Sequence, residues 1–253
     1  MAINQEQQKG TLGLLGKNID YSFSRTYFSE KFAREDLPFT YVNFDIDTIE
    51  RFPDILTNTP HLKGMNVTIP YKQEVMSYLD ELSPIAQAIG AVNTITISEE
   101  GRLTGHNTDY YGFQKSLEPH LESQHTNGLI LGTGGASKAV AYVLKALGIA
   151  YDYVSREQKS GVRWSYDRLD AKTVEKHQLI INCTPLGTHP NIERYPDIPY
   201  EAVGPQHLLF DLIYNPSKTQ FLQFGEKRGA SICNGSKMLE LQAEEAWRIW
   251  DLV

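Results

Sequence analysis

The stretch Gly128-Leu129-Ile130-Leu131-Gly132-Thr133-Gly134-Gly135-Ala136-Ser137 decides how the chain is read. It begins as a short apolar run bounded by glycine, the mark of a buried strand. Glycines 132, 134 and 135 then crowd one turn. A helical pattern follows as far as Leu147, with Gly148 placed as a C-cap glycine. A strand, a glycine turn and a helix in that order gather backbone N–H groups and the positive end of a helix around one point. That arrangement suits a pyrophosphate. Ser137 stands where the usual fingerprint has its third glycine. The bland alternative is a plain strand-to-helix turn; the strand before it and the helix after it favour binding.

Cofactor choice is expected at the end of the next strand, Tyr151–Val154, about 20 residues on. An NAD enzyme usually carries an acidic side chain there, whereas this chain offers Ser155-Arg156-Glu157. Arg156 suits a bidentate contact with a 2′-phosphate and stacking on adenine, which favours NADP. Glu157 would oppose that phosphate if it pointed inward, so NAD stays open as the alternative. Further strands are expected at Leu179–Cys183 and Leu208–Ile213, and a loop over Gly187–Gly204. A helix is expected over Ser236–Trp250, with Leu239, Ala243, Ala246, Trp247 and Trp250 as its apolar stripe.

Upstream, Thr11–Gly16, Phe39–Phe44 and Met65–Ile69 read as strands. Ser24 reads as a helix cap, Asp47–Leu56 as a helix, and Pro70 as the first turn of another. Ala91–Ile97 and Arg102–Gly105 read as paired strands around Glu99–Gly101, and Asp109–Leu121 as a helix. Strands interleaved with helices predict an α/β fold of two domains. One is an N-terminal, mainly parallel α/β substrate domain, residues 1–104 completed by the C-terminal helix 236–253. The other is a Rossmann-like dinucleotide-binding domain, residues 105–235.

Composition narrows the function classes. The 253 residues are 41% hydrophobic with 14 Tyr and 10 Phe, too apolar and aromatic for a disordered chain. A formal charge of −7 argues against nucleic-acid binding, which needs clustered Lys and Arg. No apolar run approaches the roughly 18 residues of a membrane span, and the polar N-terminus lacks a secretion signal's core. Cys183 and Cys233 stand alone, and the His residues show no ligand spacing, so no metal is expected. These features predict a soluble cytoplasmic protein.

Four segments end apolar strands abruptly in polar residues: Tyr21-Ser22-Phe23-Ser24, Asn66-Val67-Thr68-Ile69-Pro70-Tyr71-Lys72, Ala91-Val92-Asn93-Thr94 and Asn107-Thr108-Asp109. Ligands of parallel sheets bind beyond the carboxyl ends of strands, where such side chains suit a small polyhydroxylated molecule. Each alone has a structural explanation: Ser24 and Thr108 as caps, Asn93 in a turn, Lys72 as a solvated charge, His106 as a structural histidine. Together they carry chemistry.

Together they also resemble the shikimate dehydrogenase family along nearly the whole chain. The resemblance rests on S-x-S at Ser22 and Ser24, N-V-T-I-P-Y-K at Asn66–Lys72, A-V-N-T at Ala91–Thr94 and N-T-D at Asn107–Asp109. G-T-G-G-A-S at Gly132–Ser137, N-C-T-P-L-G at Asn182–Gly187 and Asp211-Leu212-Ile213-Tyr214 complete it. It implies NADPH-dependent reduction of 3-dehydroshikimate to shikimate, with Lys72 as general acid/base paired with Asp109. It implies that Ser22 and Ser24 hold the substrate carboxylate with help from Tyr214. Thr68, Asn93, Asp109 and Gln242 would contact ring hydroxyls, and Asn66 would shape the pocket. Gly132, Thr133, Gly134, Gly135, Ala136, Ser137, Ser155, Arg156, Ile213 and Gly235 would line the cofactor, with Met238 close by. The expected assembly is a monomer or homodimer. A helix opened by Pro70 would oppose charge on Lys72 by its dipole, and Asp109 would favour it.

The sequence departs from the family's usual N-R-T at Ser155–Glu157, reads as short between Ser155 and Leu179, and runs only to Val253 where the resemblance implies a further helix. An NAD-dependent quinate/shikimate dehydrogenase and a non-catalytic sensor on the same fold remain the alternatives; Lys72 and Asp109 speak against the sensor.

Overall fold

Six strands build the first sheet: β1 (Gly10–Gly16), β2 (Phe39–Asp45), β3 (Leu62–Val67), β4 (Glu81–Leu82), β5 (Thr94–Ile97) and β6 (Leu103–His106). Their order is β2-β1-β3-β5-β6-β4, with β2, β1 and β3 mutually parallel. β5 and β6 form an antiparallel hairpin, and β5 also runs antiparallel to β3. β1 is covered on both faces: Leu12 and Leu14 pack with one apolar cluster and Leu15 with another. That double burial explains why it reads as an unbroken apolar run rather than an alternation. The computed structural model describes residues 10–20, 22–157 and 160–252, so the N-terminal stretch before Gly10, Tyr21 and Val253 lie outside the described residues.

Helices α1 (Phe23–Arg34), α2 (Phe52–Asn58) and α3 (Pro84–Ile89) belong to this unit. The C-terminal part of α8 (Ser236–Trp250) does so too, because the unit comprises Met1–Thr108 together with Ala243–Val253. Ala243, Ala246 and Trp250 join Phe28, Phe32 and Tyr41 in one core, and Trp250 Nε1–H donates to the Ile95 carbonyl at 3.0 Å. Lys31, almost wholly buried, bonds Glu244 at 3.1 Å and fastens α8 to α1.

The second unit, Asp109–Gln242, carries strands β7 (Asn127–Leu131), β8 (Ala150–Ser155), β9 (Trp164–Ser165), β10 (Leu179–Asn182), β11 (Leu208–Asp211) and β12 (Ser231–Cys233). All pair in parallel in the order β12-β11-β10-β7-β8-β9. Helices α4 (Asp109–Leu117), α5 (Gly135–Ala146), α6 (Ala171–Lys176) and α7 (Gln220–Lys227) connect and cover them. Ile130 faces a core with Phe113, Val140 and Leu144, while Leu129 and Leu131 face another with Val174 and Phe221. This is the doubly wound order, and its direction reverses between β7 and β10, where such sheets bind ligands.

Several local expectations give way to the structure. α1 starts after Ser22, which takes the N-cap position expected of Ser24. The expected helix over Asp47–Leu56 is a 3-10 turn, Ile49–Arg51, followed by α2, because Pro53 is tolerated only in a first turn. Pro70 opens no α-helix. It follows a cis Ile69–Pro70 bond and leads through turns to the 3-10 helix Glu74–Tyr78, so Lys72 sits outside any first helical turn. The dipole argument for its charge falls with that helix. α4 stops at Leu117 because Pro119 turns the chain into the 3-10 helix Glu118–His120. The first unit runs on to Thr108 rather than to residue 104, because β6 pairs with β5 as far as His106. Among the described residues no helix is long and apolar enough to cross a membrane.

Candidate active site

In the first unit the carboxyl ends of β1, β2 and β3 lie side by side, since Leu14 pairs with both Asn43 and Asn66. Asn66 is buried there. Its Oδ1 accepts from the Tyr41 hydroxyl at 2.7 Å, and its Nδ2 donates to the Asn93 carbonyl at 3.3 Å and Thr94 Oγ1 at 3.2 Å. Both amide hydrogens are therefore committed, and Asn66 acts as a wall that holds its neighbours. Burial pushes the Tyr41 phenol well above its ordinary range, so it stays protonated as the donor to Asn66. Tyr41 thus holds Asn66 from β2, a role that its place in an alternating strand did not signal.

Asn93 is 2% exposed and organises the next layer. Its Oδ1 accepts from the Thr108 N–H at 2.7 Å, and its Nδ2 donates to Thr108 Oγ1 at 2.9 Å. Asn107 Nδ2 donates to the Ala91 carbonyl at 2.9 Å, so the N-T-D and A-V-N-T segments are bonded to each other. Thr68 leaves β3 with its N–H on the Leu15 carbonyl at 2.8 Å, and Gly16 makes room for it: a Cβ there would lie 2.6 Å from Thr68 Cγ2. Lys72 is half-buried, and its carbonyl accepts from the Val92 N–H at 2.7 Å, beside Asn93. Burial lowers the His106 imidazole below its ordinary range, and Thr96 Oγ1 lies 3.3 Å from its Nε2, a structural role.

Ser22 takes the N-cap position of α1 without a side-chain cap bond. Asp45 grips the preceding loop by accepting the N–H groups of Asn18 at 2.9 Å and Ile19 at 3.0 Å. Asp109, Tyr214 and Gln242 belong to the second unit. Asp109 is buried at the start of α4, and Gln242 is buried with its Nε2 on the Leu239 carbonyl at 3.0 Å.

In the second unit the glycine turn follows β7 at the point where the strand order reverses. Gly132 has φ of +100°, and a Cβ on it would lie 3.1 Å from Thr184 Cγ2, so this turn needs glycine on both counts. Gly134 caps α5 with no side-chain cap bond and open space where its Cβ would be. Ser137 is fully buried and donates to the Gly134 carbonyl at 2.7 Å, holding the turn from inside. Arg156 lies exposed just past β8. Gly235 N–H donates to the Ile213 carbonyl at 3.0 Å, and Met238 is buried against Phe113 and Leu117 in the core. Unfilled space over a helix N-terminus with a guanidinium at the neighbouring strand end fits the diphosphate and 2′-phosphate of NADP.

Comparison with known proteins agrees with this geometry. A family described as the shikimate dehydrogenase substrate binding domain matches residues 14–95. A protein of Desulforamulus reducens named shikimate dehydrogenase (NADP(+)) is 35% identical, over 94% of this chain and 88% of its own. A solved shikimate dehydrogenase of Peptoclostridium difficile is 35% identical with a TM-score of 0.82, covering 95% of this chain and 91% of that one. A shikimate 5-dehydrogenase of Thermus thermophilus, solved with NADP(H) and shikimate, is 29% identical with a TM-score of 0.85, covering 96% and 94%. With this likeness covering nearly the whole chain, the chain belongs to the shikimate dehydrogenase family.

Proposed function

We infer that the chain catalyses the reversible, NADP-dependent interconversion of 3-dehydroshikimate and shikimate, the oxidation of a CH–OH group. The observation that carries this reading is the 35% identity, over nearly the full length, to relatives named for that reaction and that cofactor.

The residue roles are those that the family resemblance implies, and the chemistry explains why such groups are needed. When bound, NADP(H) accepts or delivers the hydride at the substrate carbon. Lys72 handles the proton at the adjacent oxygen. Its amine takes the hydroxyl proton during oxidation; its ammonium stabilises the developing negative charge and returns the proton during reduction. Asp109 serves as the carboxylate that partners it. Ser22 and Ser24 open α1, so hydroxyls and a helix N-terminus together suit the substrate carboxylate, with Tyr214 assisting. Thr68, Asn93 and Gln242 contact ring hydroxyls, and Asn66 sets the spacing behind them. A site built for several hydroxyls rejects analogues lacking them, because its own polar groups would be left unpaired. Gly132–Ser137, Ser155, Arg156, Ile213 and Gly235 would line the cofactor, with Met238 close by. We place the enzyme in the cytoplasm as a monomer or homodimer.

Following nicotinamide absorbance with shikimate and either NADP or NAD tests the reaction and the cofactor in one assay. Lys72→Ala is expected to lower kcat at least about a hundredfold with little change in NADP affinity. Turnover near the parent level would remove Lys72 from its role.

A further inference from the structure

We propose that Asp211 is a positioning residue for the nucleotide site: its buried carboxylate locks together the two loops that leave β10 and β11 and sets the surface against which the cofactor binds. The proposal rests on the NADP reading above. Asp211 has no exposed surface. Its Oδ1 accepts from Asn182 Nδ2 at 3.0 Å and from the Ile213 N–H at 3.0 Å, and its Oδ2 accepts from Thr219 Oγ1 at 2.5 Å. The three donors come from the end of β10, the loop after β11 and the N-cap of α7. The carboxylate accepts from all three at once, and the Asn182 amide and the Ile213 N–H can only donate to it.

The lock extends in two directions. Through Asn182, whose Oδ1 accepts the Thr184 N–H at 3.0 Å and hydroxyl at 2.7 Å, it holds the loop on which the Gly132 turn packs. Thr184 Oγ1 in turn accepts the Leu186 N–H at 3.2 Å. Through Ile213 it reaches Gly235, whose N–H donates to the Ile213 carbonyl and whose Cβ, if present, would lie 2.1 Å from the Leu212 carbonyl oxygen. One carboxylate therefore underlies three positions assigned to the cofactor: Gly132, Ile213 and Gly235.

Burial pushes Asp211 up to about 6, with the three hydrogen bonds pulling the other way. The titratable groups that face it are Cys183, just past β10, and Tyr200, from the loop before β11. Burial raises both, so both stay neutral while Asp211 titrates.

The test is NADPH binding, read from the fluorescence of the reduced nicotinamide, beside KM for shikimate. Asp211→Ala should weaken NADPH at least about tenfold while KM for shikimate stays within about twofold. Asp211→Asn, which keeps acceptors for Asn182 and Ile213, should recover most of that loss. It should also reduce the weakening expected of the parent as pH falls below about 6. Equal weakening toward both ligands, or a folded alanine variant that binds NADPH like the parent, overturns the proposal. If the alanine variant does not fold, Thr219→Val removes one donor and should weaken NADPH about threefold; unchanged binding there overturns it as well. A parent chain that binds no NADPH overturns the nucleotide reading and this proposal with it. A parent that binds, beside variants that bind equally, overturns the proposal alone.

Discussion

Asn66 and Asn93 show how much of the first unit's polar chemistry is spent on holding itself. Asn93 bridges Thr108 by both side-chain ends, and Asn66 is saturated as a donor by the Asn93 carbonyl and Thr94. Each buried group left unpaired costs about 1–3 kcal/mol, so these amides are fixed in place before substrate arrives. The motif residues were singled out in the sequence by their combination at the ends of apolar strands, since each alone has an ordinary structural use. Tyr41 was not: a tyrosine in an alternating strand fits ordinary packing equally well. Arg156 carries the clearest test at this scale. Its guanidinium suits a bidentate grip on a 2′-phosphate, which NAD lacks. Arg156→Ala should raise the dissociation constant for NADP about tenfold and that for NAD by less than about twofold, measured by titration calorimetry. Equal loss would mean that the arginine does not read the phosphate.

Glycines do opposite work at two helix starts. Above Gly134, at the cap of α5, a Cβ would meet nothing within 4 Å, whereas at Gly235, before α8, it would collide with the backbone of Leu212. Gly235→Ala should therefore cost about 2–3 kcal/mol through the backbone shift it forces, seen as a lowered urea midpoint. Gly134→Ala should leave that midpoint nearly unchanged yet weaken the cofactor, whose space it invades. A common loss of stability in both would contradict this contrast. Long elements with strong periodicity, such as α5 and α8, were readable to within a residue or two. The short ones were not: β9 spans Trp164–Ser165 and α6 only Ala171–Lys176, too few residues for a period to declare itself. Pro70 misled for a different reason. Proline suits both a first helical turn and a tight turn, and the sequence around it does not separate the two.

Across the whole molecule, acidic groups set how stability follows pH. Glu35, Glu118 and Asp170 are held below their ordinary values, chiefly by side-chain hydrogen bonds; their contribution is present above the unfolded value and fades as pH falls. Asp211 has the opposite sign. Its native value is raised to about 6, so its contribution is full below about pH 4 and is lost as pH rises through 6. Subtracting the urea curves of Asp211→Asn from those of the parent should expose a drift of at most about 3 kcal/mol between those limits, with the variant gaining ground as pH rises. A flat difference would contradict the raised value. The sequence reading already returns the C-terminal helix, residues 236–253, to the first unit, and in the structure that unit includes Ala243–Val253. That return has a consequence for biosynthesis. The ribosome makes the amino-terminal unit first, yet its core waits for Ala243, Ala246 and Trp250. Asp109–Gln242 is thus the earlier of the two to acquire all its own residues, and during that interval the nascent amino-terminal segment still lacks part of its apolar core.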